Sequence, residues 1–238
     1  MGHGEAMIDV PQSGISSPMA SPLPAELLRA RLTSGNGRLL VIVATMLVWL
    51  MDLLLAKHLE RNQGIAPDLH GIITSIERLG TLLFVVVTLG LVVSLYRGGR
   101  RQLFGWGLLY LSFSVIQLIA NVMAMIMTAG HHQGLGLAGL WDVAAVYAQR
   151  VLVFMLIYIF LDVSTPGGIF VWPARKGEVP PTPHIIDYMF IPLNVNSTYG
   201  PTSEALISRP AKMVMALQVL LAILMLTVLI AGAVSSFN

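Results

Sequence analysis

The 238-residue chain has no cysteine, so disulfides and thiolate metal sites are excluded. It is poor in charge: Asp, Glu, Lys and Arg make up 11% of residues, against about 25% in an ordinary soluble domain. A net charge of +2 is too small to point to a nucleic-acid partner. The first 37 residues lack an apolar run at the very start, which argues against a cleaved signal peptide. No carboxylate pair, nucleophile triad or metal-ligand cluster stands at a recognisable spacing. No enzymatic chemistry and no cofactor are expected.

What the chain does have is apolar length. Hydrophobic residues reach 55% and mean hydropathy is +0.77. Runs at 39–56, 79–96, 103–128, 140–161 and 213–234 are each long enough to cross a hydrocarbon core of about 30 Å. The expected fold is an all-α membrane protein with five transmembrane helices and a short re-entrant helix before the last span. Residues 1–37 read as a disordered or surface-lying segment rich in Pro, Ser and Gly. Residues 38–238 read as the helical membrane domain. Asp68 is a candidate N-cap, so the second helix is expected to begin ahead of its apolar run. Gly134, Gly136 and Gly139 match a dinucleotide fingerprint in letters only, because the motif needs a strand before it. His131 and His132 lack further ligands at workable spacing for zinc.

Polar residues inside the spans are costly and therefore informative. Asp52, Asn121, Asp142 and Arg150 all fall within or beside apolar runs. An arginine at mid-bilayer costs roughly 2.5–3.5 kcal/mol on insertion scales, so Arg150 calls for a partner. Asp52 and Asp142 are the expected ones, with Glu77 a weaker third. Gln117 and Asn121, four apart, share a helix face and are expected to hydrogen-bond to neighbouring helices.

The C-terminal quarter, about 181–236, has its own pattern. Thr182 as N-cap and Pro183 at the first position predict a helix over 182–191, ended by Pro192. A polar knot follows, containing Asn194, Asn196, Ser197, Thr198, Tyr199, Gly200 and Pro201. The last span comes next. A half-length helix, a turn and a full helix make a re-entrant hairpin. Carbonyls and hydroxyls of Asn196, Ser197, Thr198, Tyr199 and Gly200 are then candidates to replace a cation's hydration shell. The alternative is a polar turn at the membrane surface, satisfied by water. Ile169 to Trp172 is expected to dip into the interface.

Several segments carry a resemblance. Ile186-Asp187-Tyr188-Met189-Phe190, the knot Asn196 to Pro201, and Arg209-Pro210-Ala211-Lys212 before an apolar helix look like the pore hairpin of two-transmembrane-type potassium channels. The run from Arg150 to Asp162, followed by Pro166-Gly167-Gly168-Ile169, resembles a group of uncharacterised bacterial integral membrane proteins. Their C-terminus is a degenerate pore hairpin of that kind. The similarity covers about residues 105–238. It implies a channel-like or transport-related protein, a homo-oligomer, and monovalent cations as partners beside the lipid bilayer, in a bacterial plasma membrane. Thr198 stands where a potassium filter has its first glycine, and Pro201 where an acid usually follows. A non-conducting subunit or scaffold is the alternative.

Charge asymmetry gives an orientation. Arg29, Arg31, Arg38, Arg97, Arg100, Arg101, Arg175, Lys176, Arg209 and Lys212 fall on one side, and Lys57, Arg61 and Arg78 on the other. The positive-inside rule then places the N-terminus and the hairpin mouth in the cytoplasm.

Overall fold

The computed structural model describes residues 30, 35–62, 67–97, 100–129, 137–173, 183–197 and 205–235. Among them are five long helices: α1 (Gly35–Asn62), α2 (Pro67–Arg97), α3 (Arg100–Ala129), α4 (Leu137–Ser164) and α6 (Arg209–Ser235). A short helix, α5 (Ile185–Asn196), lies between α4 and α6. Two-residue strands β1 (Phe170–Val171) and β2 (Ala205–Leu206) flank α5 in sequence. The five long helices each carry a window apolar and long enough to cross a membrane. The chain is therefore an all-α integral membrane protein. The second helix does begin ahead of its apolar window, at Pro67 against Gly80, but Asp68 is its second residue and not its N-cap.

The bundle is built around α4. Sixty-seven percent of its spanning window is buried, against 22–33% for the other four windows. Val146, Gln149, Arg150, Val153, Phe154 and Tyr158 are all buried on it. α1, α3, α5 and α6 pack on α4, and α2 packs mainly on α3. A helix buried on all sides reads as apolar all round, which matches the uninterrupted run from Val151 to Leu161. The outer helices instead expose Leu, Val, Ile and Met, the faces expected to meet lipid.

Close approach of α2 and α3 depends on one glycine. A Cβ on Gly90 would stand 2.5 Å from the Trp106 ring. Gly107 serves α3 and α4 similarly, with Phe160 at 2.7 Å from an added Cβ.

The end of α4 is set by Pro166-Gly167-Gly168. Gly167 and Gly168 have φ of 80° and 79°, the left-handed region that glycine enters without steric cost. The turn brings the backbone N–H groups of Ile169 and Phe170 onto the Asp162 carboxylate. β1 then pairs antiparallel with β2, Phe170 opposite Leu206 and Val171 opposite Ala205. Ile169, Phe170 and Trp172 are buried against the protein, while Val171 is exposed. Their rings pack with Tyr158 and Tyr188, Trp172 being 5.2 Å from Tyr188 and Phe170 5.7 Å from Tyr158.

α5 differs from the helix expected at 182–191. His184 is its N-cap, and Asp187 in the first turn accepts the His184 N–H at 2.6 Å. Thr182 lies outside the described residues. Pro192 sits inside α5 and does not end it. Proline removes one helical hydrogen bond and usually costs about 3 kcal/mol in a helix interior. Here Tyr188, Ile191, Pro192 and Val195 are all buried, and the Pro192 carbonyl accepts a bond from Gln218 of α6. Tertiary packing therefore carries the helix through the proline to Asn196. Asn194 and Asn196, expected in a turn, belong to its last turn.

Candidate functional site

Two polar centres lie inside the bundle, at different depths. The first surrounds Asp52. Its Oδ1 accepts from Asn121 Nδ2 at 2.9 Å and from Gln149 Nε2 at 3.1 Å. Asn121 Nδ2 also donates to Gln149 Oε1 at 3.1 Å. Gln117 faces the same carboxylate. The centre thus joins α1, α3 and α4. Asp52 is three residues from the end of its window, Asn121 two from the end, and Gln149 six from the start. At about 1.5 Å per residue, it lies within about 9 Å of the membrane edge opposite the start of α1. Asn121 behaves as expected of a polar residue on a spanning helix.

Arg150 does not join this centre, contrary to expectation. Its neighbour Gln149 faces Asp52, and consecutive residues on a helix point about 100° apart. Arg150 is 2% exposed. Its Nε and Nη1 have no hydrogen-bond partner among the described residues. The guanidinium lies over the Tyr147 ring, 5.4 Å from its centroid, a cation–π contact. Asp142 is on α4, but its side chain and that of Glu77 lie outside what is described.

The second centre fixes the hairpin. Gln218 of α6 is fully buried. Its Nε2 donates to the Pro192 carbonyl at 3.0 Å and to Asn196 Oδ1 at 2.8 Å. Its Oε1 accepts from the Tyr158 hydroxyl at 2.8 Å. One side chain thereby ties the tip of α5 to α4 and α6. Asn196 Nδ2 is buried without a partner among the described residues. Ser197 caps the helix end: its N–H donates to Leu193 O at 3.0 Å and its hydroxyl to Asn194 O at 3.0 Å. At the other end of α5, the Tyr188 hydroxyl donates to Asp162, which already holds Ile169 and Phe170.

These contacts set the depth of α5. Asp162 and Tyr188 meet two residues from the end of the α4 window, at the membrane edge. Gln218 is nine residues past Arg209, or about 14 Å into the bundle. Tyr158 is six residues before Ser164, about 9 Å in. Helical side chains lean toward their own N-terminus, so Tyr158 reaches deeper and Gln218 shallower, and the two levels converge. The tip of α5 therefore stands near mid-membrane. The chain is back at the edge by β2, paired with β1 beside Asp162. α5 is a re-entrant helix. With four crossings before it, its mouth lies on the side where α1 begins.

Of the five filter-like residues, Asn196 and Ser197 are at this tip. Thr198, Tyr199 and Gly200 lie outside the described residues. Residues 1–29, which hold most of the expected N-terminal segment, also lie outside, as do His131 and His132. Gln218, Tyr158 and Asp162 were not singled out from the sequence. A glutamine within the last apolar run, five residues from its start, was the available signal for Gln218. Among the described residues no group of three or more His, Cys, Asp or Glu could hold a metal.

This is an integral membrane protein with a re-entrant helix clamped at mid-depth. Comparison of the chain with protein-family models, curated proteins and solved structures gives no match.

Proposed function

We propose that this is a channel-like or transport-related membrane protein whose C-terminal hairpin contacts the permeating species, with several copies meeting around it. The observation supporting this reading is α5 itself, a twelve-residue helix whose C-terminal end stops near mid-membrane. The C-terminal end of a helix carries partial negative charge, which favours a cation. Irregular backbone at such depth must be enclosed by protein or line water. Ser197 at the tip is exposed in the single chain, and a second copy supplies the cover. The ligand class is a monovalent cation and the contacting segment is 196–200. In this reading the N-terminus and the hairpin mouth face the cytoplasm of a bacterial plasma membrane, as the arginine asymmetry favours.

The test is cation flux into proteoliposomes carrying the wild-type chain and Thr198→Ala and Tyr199→Ala variants. Flux that changes in rate or ion preference with these substitutions supports the reading. Absence of flux, or flux indifferent to both, refutes it.

A second reading is a non-conducting subunit or scaffold that keeps the fold. The clamp of Gln218 on the tip and the threonine at position 198 favour it. A stable hetero-complex recovered in mild detergent, without flux, is its expected signature. A homo-oligomer with flux counts against it.

A further inference from the structure

Asp52 is an acid inside a membrane span, and the groups bonded to its carboxylate are neutral amides. Oδ1 accepts from Asn121 Nδ2 at 2.9 Å and from Gln149 Nε2 at 3.1 Å, and Gln117 faces the same carboxylate. Asn121 Nδ2 also reaches Gln149 Oε1 at 3.1 Å, which closes a triangle of side chains from α1, α3 and α4. Among the described residues no charged side chain pairs with Asp52. On its own helix, Lys57 is exposed. On α3, Tyr110 faces the centre but gives its hydroxyl to the Thr45 carbonyl. On α4, Arg150 points about 100° away from Gln149 and lies over the Tyr147 ring. On α2, Tyr96 and Arg97 stand at the opposite membrane edge. The titratable side chains of 58–61, 77–78 and 142, and His131 and His132, lie outside the described residues.

We infer that Asp52 is a proton-binding site, loaded from the membrane side opposite the hairpin mouth. An ionised carboxylate in a span without a counter-charge is costly, and such a group takes up a proton instead. The three amides accommodate both states, because each carries a donor and an acceptor. The ionised form is held by their N–H groups. The acid needs only Gln117 to turn its carbonyl oxygen toward an Oδ2–H, while Asn121 and Gln149 keep their bonds to Oδ1. A lysine or arginine in any of the three positions would instead hold the group ionised. The route for the proton is short: Asp52 is half-buried and three residues, or about 5 Å, from the end of its apolar window. A metal cation fits less well, since Asn121 and Gln149 turn nitrogen rather than oxygen toward Oδ1. The inference stands apart from the hairpin reading, because these bonds join α1, α3 and α4 and involve neither α5 nor α6.

The test is infrared difference spectroscopy of the full chain in liposomes, between pH about 9 and about 5. The expected result is the carbonyl band of one protonated carboxyl in an apolar setting, absent from Asp52→Asn and unchanged when sodium replaces potassium. A hydrophobic carbodiimide gives a readout that needs no variant. It adds to a protonated carboxyl in lipid to form an N-acylurea, with nothing leaving. The Asp52 adduct, located by peptide mass spectrometry, should rise at least about tenfold as pH falls over the same range. No such band in the wild type, or a band that survives in Asp52→Asn, overturns the proposal. So does an adduct that is absent at both pH values or indifferent to pH. Suppression of the band or the adduct by sodium at fixed pH also overturns it, because the site would then take a metal cation.

Discussion

Replacing Gln218 by Leu should loosen α5 while leaving the crossing helices in place. Leucine keeps most of the side-chain volume and adds no polar atom, so the perturbation is the loss of three hydrogen bonds. Side-chain hydrogen bonds between helices in a membrane protein average about 0.6 kcal/mol each, which gives a loss of about 2 kcal/mol. The orphaned Tyr158 hydroxyl is buried, and leaving such a group unpaired costs about 1–3 kcal/mol. Tyr158→Phe in the Gln218→Leu background should therefore recover about 1 kcal/mol, although each change alone destabilises. The assay is reversible unfolding in mixed micelles, read as a double-mutant cycle. Hydrogen exchange supplies the local readout: amides of α5 should exchange faster in Gln218→Leu, and those of α3 should not. A Gln218→Leu loss below about 0.5 kcal/mol, or additive effects of the two substitutions, would refute the clamp.

Three further outcomes follow from the same geometry. Arg150→Met should be neutral or raise stability by about 1–2 kcal/mol in detergent unfolding, because a buried charge with no ion-pair partner among the described residues, held only over the Tyr147 ring, gives way to an apolar side chain of similar length; a loss beyond about 1 kcal/mol would mean that an acidic side chain outside the described residues pairs with the guanidinium. Asp52→Asn should stay within about 0.5 kcal/mol of wild type, since its Oδ1 still accepts from Asn121 and Gln149, whereas Asp52→Leu should lose about 1–2 kcal/mol in the same assay. Gly90→Ala should cost about 1–3 kcal/mol by pushing the Trp106 ring off α2, while Gly105→Ala, with open space around its Cβ, should cost nothing measurable by thermal unfolding.

The long helices were legible because apolar length alone decides them in a membrane protein. A run of about 20 such residues has no competing structure in lipid. Asn121 was legible for a related reason, as a polar group in a span must bond across to another helix. Pairing was not. Arg150 and Asp52 carry opposite charges at similar depth, and sequence alone joins them. The structure separates them because Gln149, one residue earlier, occupies the Asp52 face. Pro192 was misread because local rules set its effect without the neighbours that bury it. Burial of Ile191 and Val195, together with the bond from Gln218 to the Pro192 carbonyl, overrides the local preference. The aromatic knot of Tyr158, Phe170, Trp172 and Tyr188 was hidden for the same reason: its members are spread over three segments that only the fold brings together.

The clamp on α5 also constrains the order of assembly. Gln218 follows Pro192 by 26 residues and Tyr158 by 60. During synthesis α5 emerges while its anchor is still inside the ribosome. Until α6 is made, the half-helix has Asp162, the aromatic knot and its packing on α4, but it lacks the Gln218 bonds that fix its tip. Insertion of the tip is therefore a late step that follows docking of α6 on α4. A chain stopped before Gln218 should present α5 outside the bundle, within reach of a protease added on the hairpin side.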